Sequence, residues 1–188
     1  MTLYLDTEFT ELHRHGELLS LAMIDATGRW FYAEFTAPDR SNLSDWHQQN
    51  VVPYLALPPG HSMESYPGTV IKGTREEIVG ALTTWLAGYD QTIVWADVPA
   101  YDWVFFSDLF GGALSMPKNL HYIVRDLATA LEVKGYNPDC DRFKLAFGDD
   151  IPSALPRHNA LADALALKNI TEKLGLTSPI IGNKHRSG

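Results

Sequence analysis

The stretch from Thr2 to Thr10 constrains this chain more than any other. Thr-Leu-Tyr-Leu-Asp-Thr-Glu-Phe-Thr reads as a β-strand, and side chains alternate across a strand. Leu3, Leu5, Thr7 and Phe9 therefore share one face, while Tyr4, Asp6, Glu8 and Thr10 share the other. On an otherwise apolar strand, two carboxylates pointing the same way raise each other's pKa or disrupt the strand unless positive charge lies between them. A divalent cation meets that need. On a solvated face the same pair costs little, and D-x-E is common by chance, so a metal site requires further carboxylates to converge on it.

The next segments set the fold class. Leu18 to Ile24 and Trp30 to Phe35 read as two more strands around a tight turn, Ala26-Thr27-Gly28-Arg29, which makes an antiparallel three-strand meander. From Thr36 to Gly73 five prolines break any long element, leaving a short helix over Ser44 to Val51, capped by Ser44 or Asn42, within a long loop. Thr74-Arg75-Glu76-Glu77 is a capping box before Ile78, Leu82, Trp85 and Leu86, which predicts a helix over 75–87. A strand over 92–96, a helix from Pro99 to about Leu109, a strand over 120–124 and a helix over 126–133 follow. After a polar stretch, 134–156, a final helix runs from about Asn159 to Leu174, stopped by Gly175. Meander first, then alternating helices and strands, describes an α/β fold with a mixed sheet.

With 188 residues the chain fits one domain, taken as 1–176, with 177–188 as a flexible tail. No apolar run approaches the length of a membrane span, and no signal-peptide pattern opens the chain, so the expectation is a cytoplasmic protein without membrane contact. Cys140 is the one cysteine, which excludes an internal disulfide and a thiolate cluster and directs any metal to oxygen ligands, favouring Mg²⁺ or Mn²⁺. The net charge of −8 argues against coating long nucleic acid but leaves room for an enzyme that grips a chain end.

Two aspartates occupy positions where apolar residues belong. Asp102 heads the i, i+3, i+4, i+7 stripe that continues through Phe105, Phe106 and Leu109, and Asp163 interrupts the stripe of Ala160, Ala164, Leu167, Ile170 and Leu174. An acid near a helix N-terminus gains only about 0.3 to 1 kcal/mol from the macrodipole, less than burial costs it. Convergence with Asp6 and Glu8 at an oxygen-ligated, two-metal site accounts for all four. His158 stands five residues before Asp163. Five helical residues turn through about 500°, so His158 reaches the face of Asp163 only from the preceding loop, which Pro152 and Pro156 punctuate. There it can take a proton near neutral pH.

Asp6-Thr7-Glu8 on the first strand, Asp102 early in a middle helix, and His158-Asn159-Ala160-Leu161-Ala162-Asp163 at the last helix resemble the three motifs of the DEDDh exonucleases. That family has a ribonuclease H-like fold and includes ribonuclease T, oligoribonuclease and polymerase proofreading subunits. Leu5 to Glu11 with Glu17 to Ala22 look most like the small mycobacterial-type 3′-5′ exoribonuclease branch. The resemblance implies a two-metal site of two Mg²⁺ or Mn²⁺. Asp6, Glu8 and Asp163 hold one ion, Asp6 bridges to the second, Asp102 acts on the water or second ion, and His158 serves as general base. It further implies a single-stranded RNA or DNA 3′ end as substrate, and a homodimer as a common arrangement. Phe9, Tyr101 and Trp103 lie near motif positions and are candidates for stacking on terminal bases, with core packing as the alternative. Asp97 is a rival to Asp102. RNA over DNA rests on the branch resemblance alone. A DNA exonuclease, a catalytically silent binding module and a ribonuclease H-type endonuclease are the competing functions.

Overall fold

The computed structural model describes residues 1–13, 15–55 and 66–177. β1 (Thr2–Phe9), β2 (Leu18–Asp25) and β3 (Trp30–Phe35) form the expected antiparallel meander. To one side, β4 (Gly68–Gly73) runs parallel to β3; to the other, β5 (Ile93–Ala96) and β6 (Arg125–Asp126) run parallel to β1. The sheet order is β4-β3-β2-β1-β5-β6. β1 thus lies in the middle of a mixed sheet, buried on both faces except towards its C-terminal end.

The described residues form six α-helices, α1 (Asp45–Asn50), α2 (Arg75–Leu86), α3 (Asp102–Leu109), α4 (Leu127–Val133), α5 (Arg142–Phe147) and α6 (Ala160–Lys173). On one face, Leu3, Leu5, Leu21, Met23 and Phe31 pack against Ile78, Leu82 and Trp85 of α2 and Phe106 and Leu109 of α3. On the other, Ala22, Ile24, Trp30 and Tyr32 pack against Ala160, Leu161 and Ala164 of α6. Tyr4 and Trp95 meet α4 and α6 through Leu127, Leu131, Leu167 and Ile170. No described helix is long and apolar enough to cross a membrane.

Several elements depart from the sequence reading. β4 lies inside the stretch taken as loop; it is a mostly exposed edge strand, so it carries no buried-face alternation to reveal it. The strand expected over 120–124 reduces to a single bridge, Thr92 to Leu120, because Tyr122 and Ile123 turn out to solvent, and pairing resumes at Arg125–Asp126. The helix expected from Pro99 begins at Asp102, after a turn in which Val98 adopts φ 51°. α5 forms within the polar stretch, capped by Asp141 and anchored by the buried Phe143. Ser44 caps α1, its hydroxyl accepting from the His47 N–H, and the Thr74–Glu77 capping box is intact. The Pro58 to His61 segment and the tail lie outside the described residues.

Phe106 holds α3 in place. Fully buried, it touches the rings of Trp103 and Phe110 at 5.4 Å each and sits in the cluster with Leu3 and Leu5. Phe106→Ala is expected to destabilise the protein by about 3–5 kcal/mol in a denaturant melt. A loss under about 1 kcal/mol would mean that α3 is not anchored through this ring.

Candidate active site

β1 pairs with β5 only from Thr2 to Tyr4, so its later residues have no strand on that side. Asp102 occupies the gap. Its Oδ1 accepts the Thr7 backbone N–H at 3.0 Å and the Thr7 hydroxyl at 2.6 Å. A threonine on the core-facing side of β1 thereby ties α3 to the strand. From the opposite face of the sheet α6 brings Asp163, whose Oδ2 accepts the Asn159 N–H at 3.1 Å. Carboxylate oxygens of Asp6, Glu8 and Asp163 lie within 4.8 Å of one another. Asp102 stands just beside this trio, its charge felt at Asp6, Glu8 and Asp163.

Burial is the main cause of the shifted acidities, and mutual repulsion adds to it. Asp6 and Glu8 are raised well above the ordinary range, by desolvation first and then by neighbouring acids, Asp102 and Asp163 among them. Desolvation takes Asp102 to about 7 against the pull of its Thr7 hydrogen bonds. It takes Asp163 to about 7 as well, opposed by the backbone bonds from His158 and Asn159 and by Arg157. Three acids converging with only oxygen donors, their charged forms disfavoured, suit a hard divalent cation, whose charge would restore ionisation. Among the described residues no lysine or arginine forms an ion pair with Asp6, Glu8 or Asp163.

His158 reaches the site as the proline-punctuated loop anticipates, in the left-handed region at φ 59°. Burial, then Arg157, lowers its pKa from 6.5, which leaves the imidazole neutral and able to accept a proton at pH 7. Arg157 is fixed by two bonds to Asp141 at 2.8 and 2.9 Å and lies over the Phe143 ring, so α5 holds the loop from below. Asn159 caps α6 through Oδ1, which accepts from Leu161 and Ala162, while its Nδ2 donates to the Tyr54 carbonyl at 2.7 Å. Asp97, the rival acid, makes a two-point ion pair with Arg142 at 2.6 and 3.1 Å, and its charge still adds to the raised acidities of Asp6 and Asp102.

Glu8 and His158 open into a cleft of about 1010 Å³. Its other wall comes from Thr10 to His13 with His15 and Glu17, and from Asp39, Asn42 to Ser44, Trp46 and His47. Phe9 lines it, stacked on Phe105 at 4.9 Å and near Tyr101 at 6.4 Å. Tyr101 is 43% exposed but is not among the cleft-lining residues, and Trp103 is partly buried, stacked on Phe106 in the core cluster. Sequence reasoning missed Thr7, Asn159 and Trp46, whose ring centroid lies 4.9 Å from that of His158. It also gave no context to His13, His15 and His47, which line the same cleft. A tryptophan on a short, otherwise polar helix was the one available signal.

Residues 1–174 match the family described as Rv2179c-like, the 3′-5′ exoribonuclease Rv2179c-like domain. This chain is a member of that family. The 3′-5′ exoribonuclease Rv2179c of Mycobacterium tuberculosis strain ATCC 25618 / H37Rv is 30% identical over 166 residues, covering 87% of each chain. The 3′-5′ exoribonuclease MT2234.1 of strain CDC 1551 / Oshkosh matches to the same extent. Among solved structures, the nuclease domain of 3′hExo, a DEDDh family member bound to rAMP, superimposes with a TM-score of 0.59 at 11% identity, covering 93% of this chain and 91% of that one. That likeness is one of fold, and the fold is the ribonuclease H-like, mixed α/β one that the resemblance to the DEDDh exonucleases implies.

The acid cluster has a consequence for stability. Asp102 and Asp163 move from 3.8 when unfolded to about 7 when folded, so between those values the folded protein binds more protons. Their stabilising contribution is therefore full at low pH and is lost as pH rises towards 7. In chelator, the melting temperature is expected to be higher at about pH 5 than at about pH 8, with Mg²⁺ narrowing the gap and Asp163→Asn flattening it. A metal-free melting temperature that rose across this window would rule out the buried, cation-seeking cluster.

Proposed function

We propose that this domain, residues 1–176, is a metal-dependent 3′-5′ exonuclease that removes nucleotides from single-stranded RNA ends. Family membership supports the reaction class. The observation that carries the site assignment is the convergence of Asp6, Glu8 and Asp163, with His158 opening into the same cleft. Asp6, Glu8 and Asp163 would hold divalent cations, two Mg²⁺ or Mn²⁺, with Asp102 completing the acidic set from its place on Thr7. Such ions, when bound, polarise the scissile phosphate and neutralise the charge that builds on it.

The chain's own residues supply the rest. His158, neutral and held by the Arg157 loop, accepts a proton from the attacking water as its oxygen bonds to phosphorus. The bond from phosphorus to the 3′ oxygen of the penultimate nucleotide breaks, that oxygen takes up a proton, and a nucleoside 5′-monophosphate leaves. The cleft of about 1010 Å³ has room for a nucleotide-sized group beside Glu8 and His158.

The test is release of mononucleotides from 5′-labelled single-stranded RNA, with the DNA twin alongside, in Mg²⁺, in Mn²⁺ and in chelator. A ladder shortening from the 3′ end, abolished by chelator and faster on RNA, is expected; faster DNA cleavage would reassign the substrate, and cleavage of a circle would make the enzyme an endonuclease. Asp163→Asn should lower kcat by orders of magnitude with the fold intact, and His158→Ala should cost about 10²- to 10⁴-fold in rate. An Asp163→Asn protein with a near wild-type rate would refute the site.

A further inference from the structure

We infer that Glu34 is a positioning residue for the exonuclease reaction, holding one wall of the cleft against the sheet through its ion pair with Arg40; the inference rests on the exonuclease reading above. Strand pairing sets Glu8, Ser20, Glu34 and Lys72 in one row across β1, β2, β3 and β4. Partners in such a row share a face, so Glu34 lies on the face that carries Asp6 and Glu8, two strands or about 10 Å from Glu8. Its side chain is 2% exposed. Arg40 and Lys72, the latter at 2.6 Å, both bond Oε1, and Oε2 has no hydrogen-bond partner among the described residues. Burial opposes ionisation of this carboxyl, but the hydrogen bonds and charges of Lys72 and Arg40 outweigh it and hold the group below its ordinary range.

Arg40 is the point at which the wall meets this charge. It opens a 3₁₀ turn, Arg40–Asn42, which Asp39 caps by accepting from the Ser41 N–H at 3.0 Å, the Ser41 hydroxyl at 2.7 Å and the Asn42 amide at 2.8 Å. The Arg40 carbonyl accepts from the Gln48 side chain, which joins the turn to α1. Turn and helix thus form one block that places Asp39, Asn42, Ser44, Trp46 and His47 in the cleft. Neither the turn nor α1 buries a residue. The apolar anchor of the block is Leu43, Val51 and Leu55 around Leu19, a non-directional contact that leaves the angle of the wall to be set by something with a fixed geometry. A buried ion pair is a weak source of stability, because desolvation offsets its attraction, but its geometry is specific. Lys72 is already placed by β4, so it is through Arg40 that the carboxylate positions the wall. The Arg40 and Lys72 side chains are 30% and 54% exposed, so either can turn to water when its partner is removed, and the variants should fold.

The test separates the two cations that share one carboxylate. On RNA, Glu34→Gln and Arg40→Gln are expected to lower kcat/KM by up to about 100-fold, the scale for displacing a positioning group by about 1 Å, with the loss in KM rather than in kcat. Lys72→Gln should leave KM unchanged. The double variant Glu34→Gln/Arg40→Gln should be no worse than either single one, and Arg40→Lys, which keeps one charged donor, should recover part of the loss. A second readout needs no turnover: backbone amides of residues 47–51 should exchange hydrogen faster in Glu34→Gln and Arg40→Gln than in the wild type or Lys72→Gln. Equal effects of Lys72→Gln and Arg40→Gln on KM, additive losses in the double variant, or exchange over 47–51 unchanged by Arg40→Gln would overturn the assignment. Absence of hydrolysis by the wild type would overturn the exonuclease reading instead, while the exchange pattern would still decide whether Glu34 holds the wall.

Discussion

β1 extends beyond the strand beside it, and the rest of the structure follows from that overhang. Past Tyr4 the strand has no β5 neighbour, so the Thr7 amide lacks a ladder acceptor and takes Asp102 instead. The acid is therefore both a backbone partner for the sheet and part of a charged cluster. From the two faces, α3 brings Asp102 to Thr7 and α6 brings Asp163 to Asp6 and Glu8, so both helices deliver an acid to the same end of β1. Carboxylates from three elements are thus brought together in a place too dry for all of them to ionise unaided.

Support for the cluster comes from hydrogen bonds as much as from packing. Asp141 caps α5 and fixes Arg157; Arg142, one residue on, compensates Asp97 and also bonds the Cys140 and Pro138 carbonyls. Asn159 joins the helix carrying Asp163 to the 3₁₀ turn at Val52–Tyr54. These contacts hold a histidine in a left-handed conformation that a non-glycine residue adopts only when its surroundings dictate it.

Much of this was legible in the sequence because it is written in periodicity. Strand alternation put Asp6 and Glu8 on one face, and the two interrupted helical stripes singled out Asp102 and Asp163. Elements with no buried face to write were missed: β4 is an exposed edge, and α5 is six residues long with one buried side chain. Thr7 was placed on the core face by alternation, as it is, but nothing local says that its hydroxyl meets an acid 95 residues away. Trp46 was silent for the same reason. Its neighbour His158 is distant in the chain, and α1 is too short for a stripe to point anywhere.

The acid cluster draws on both ends of the sequence, with Asp6 and Glu8 on the first strand and Asp163 on the last helix. The meander that carries the first pair is built from neighbouring segments, whereas α6 is the last of the described elements in chain order. A nascent chain still attached to the ribosome before residue 163 would present two or three of the acids without the histidine loop or the helix that complete the set. Catalytic competence would then wait until α6 has left the exit tunnel, so an enzyme made amid ribosomal and messenger RNA would be harmless until that helix is free to dock.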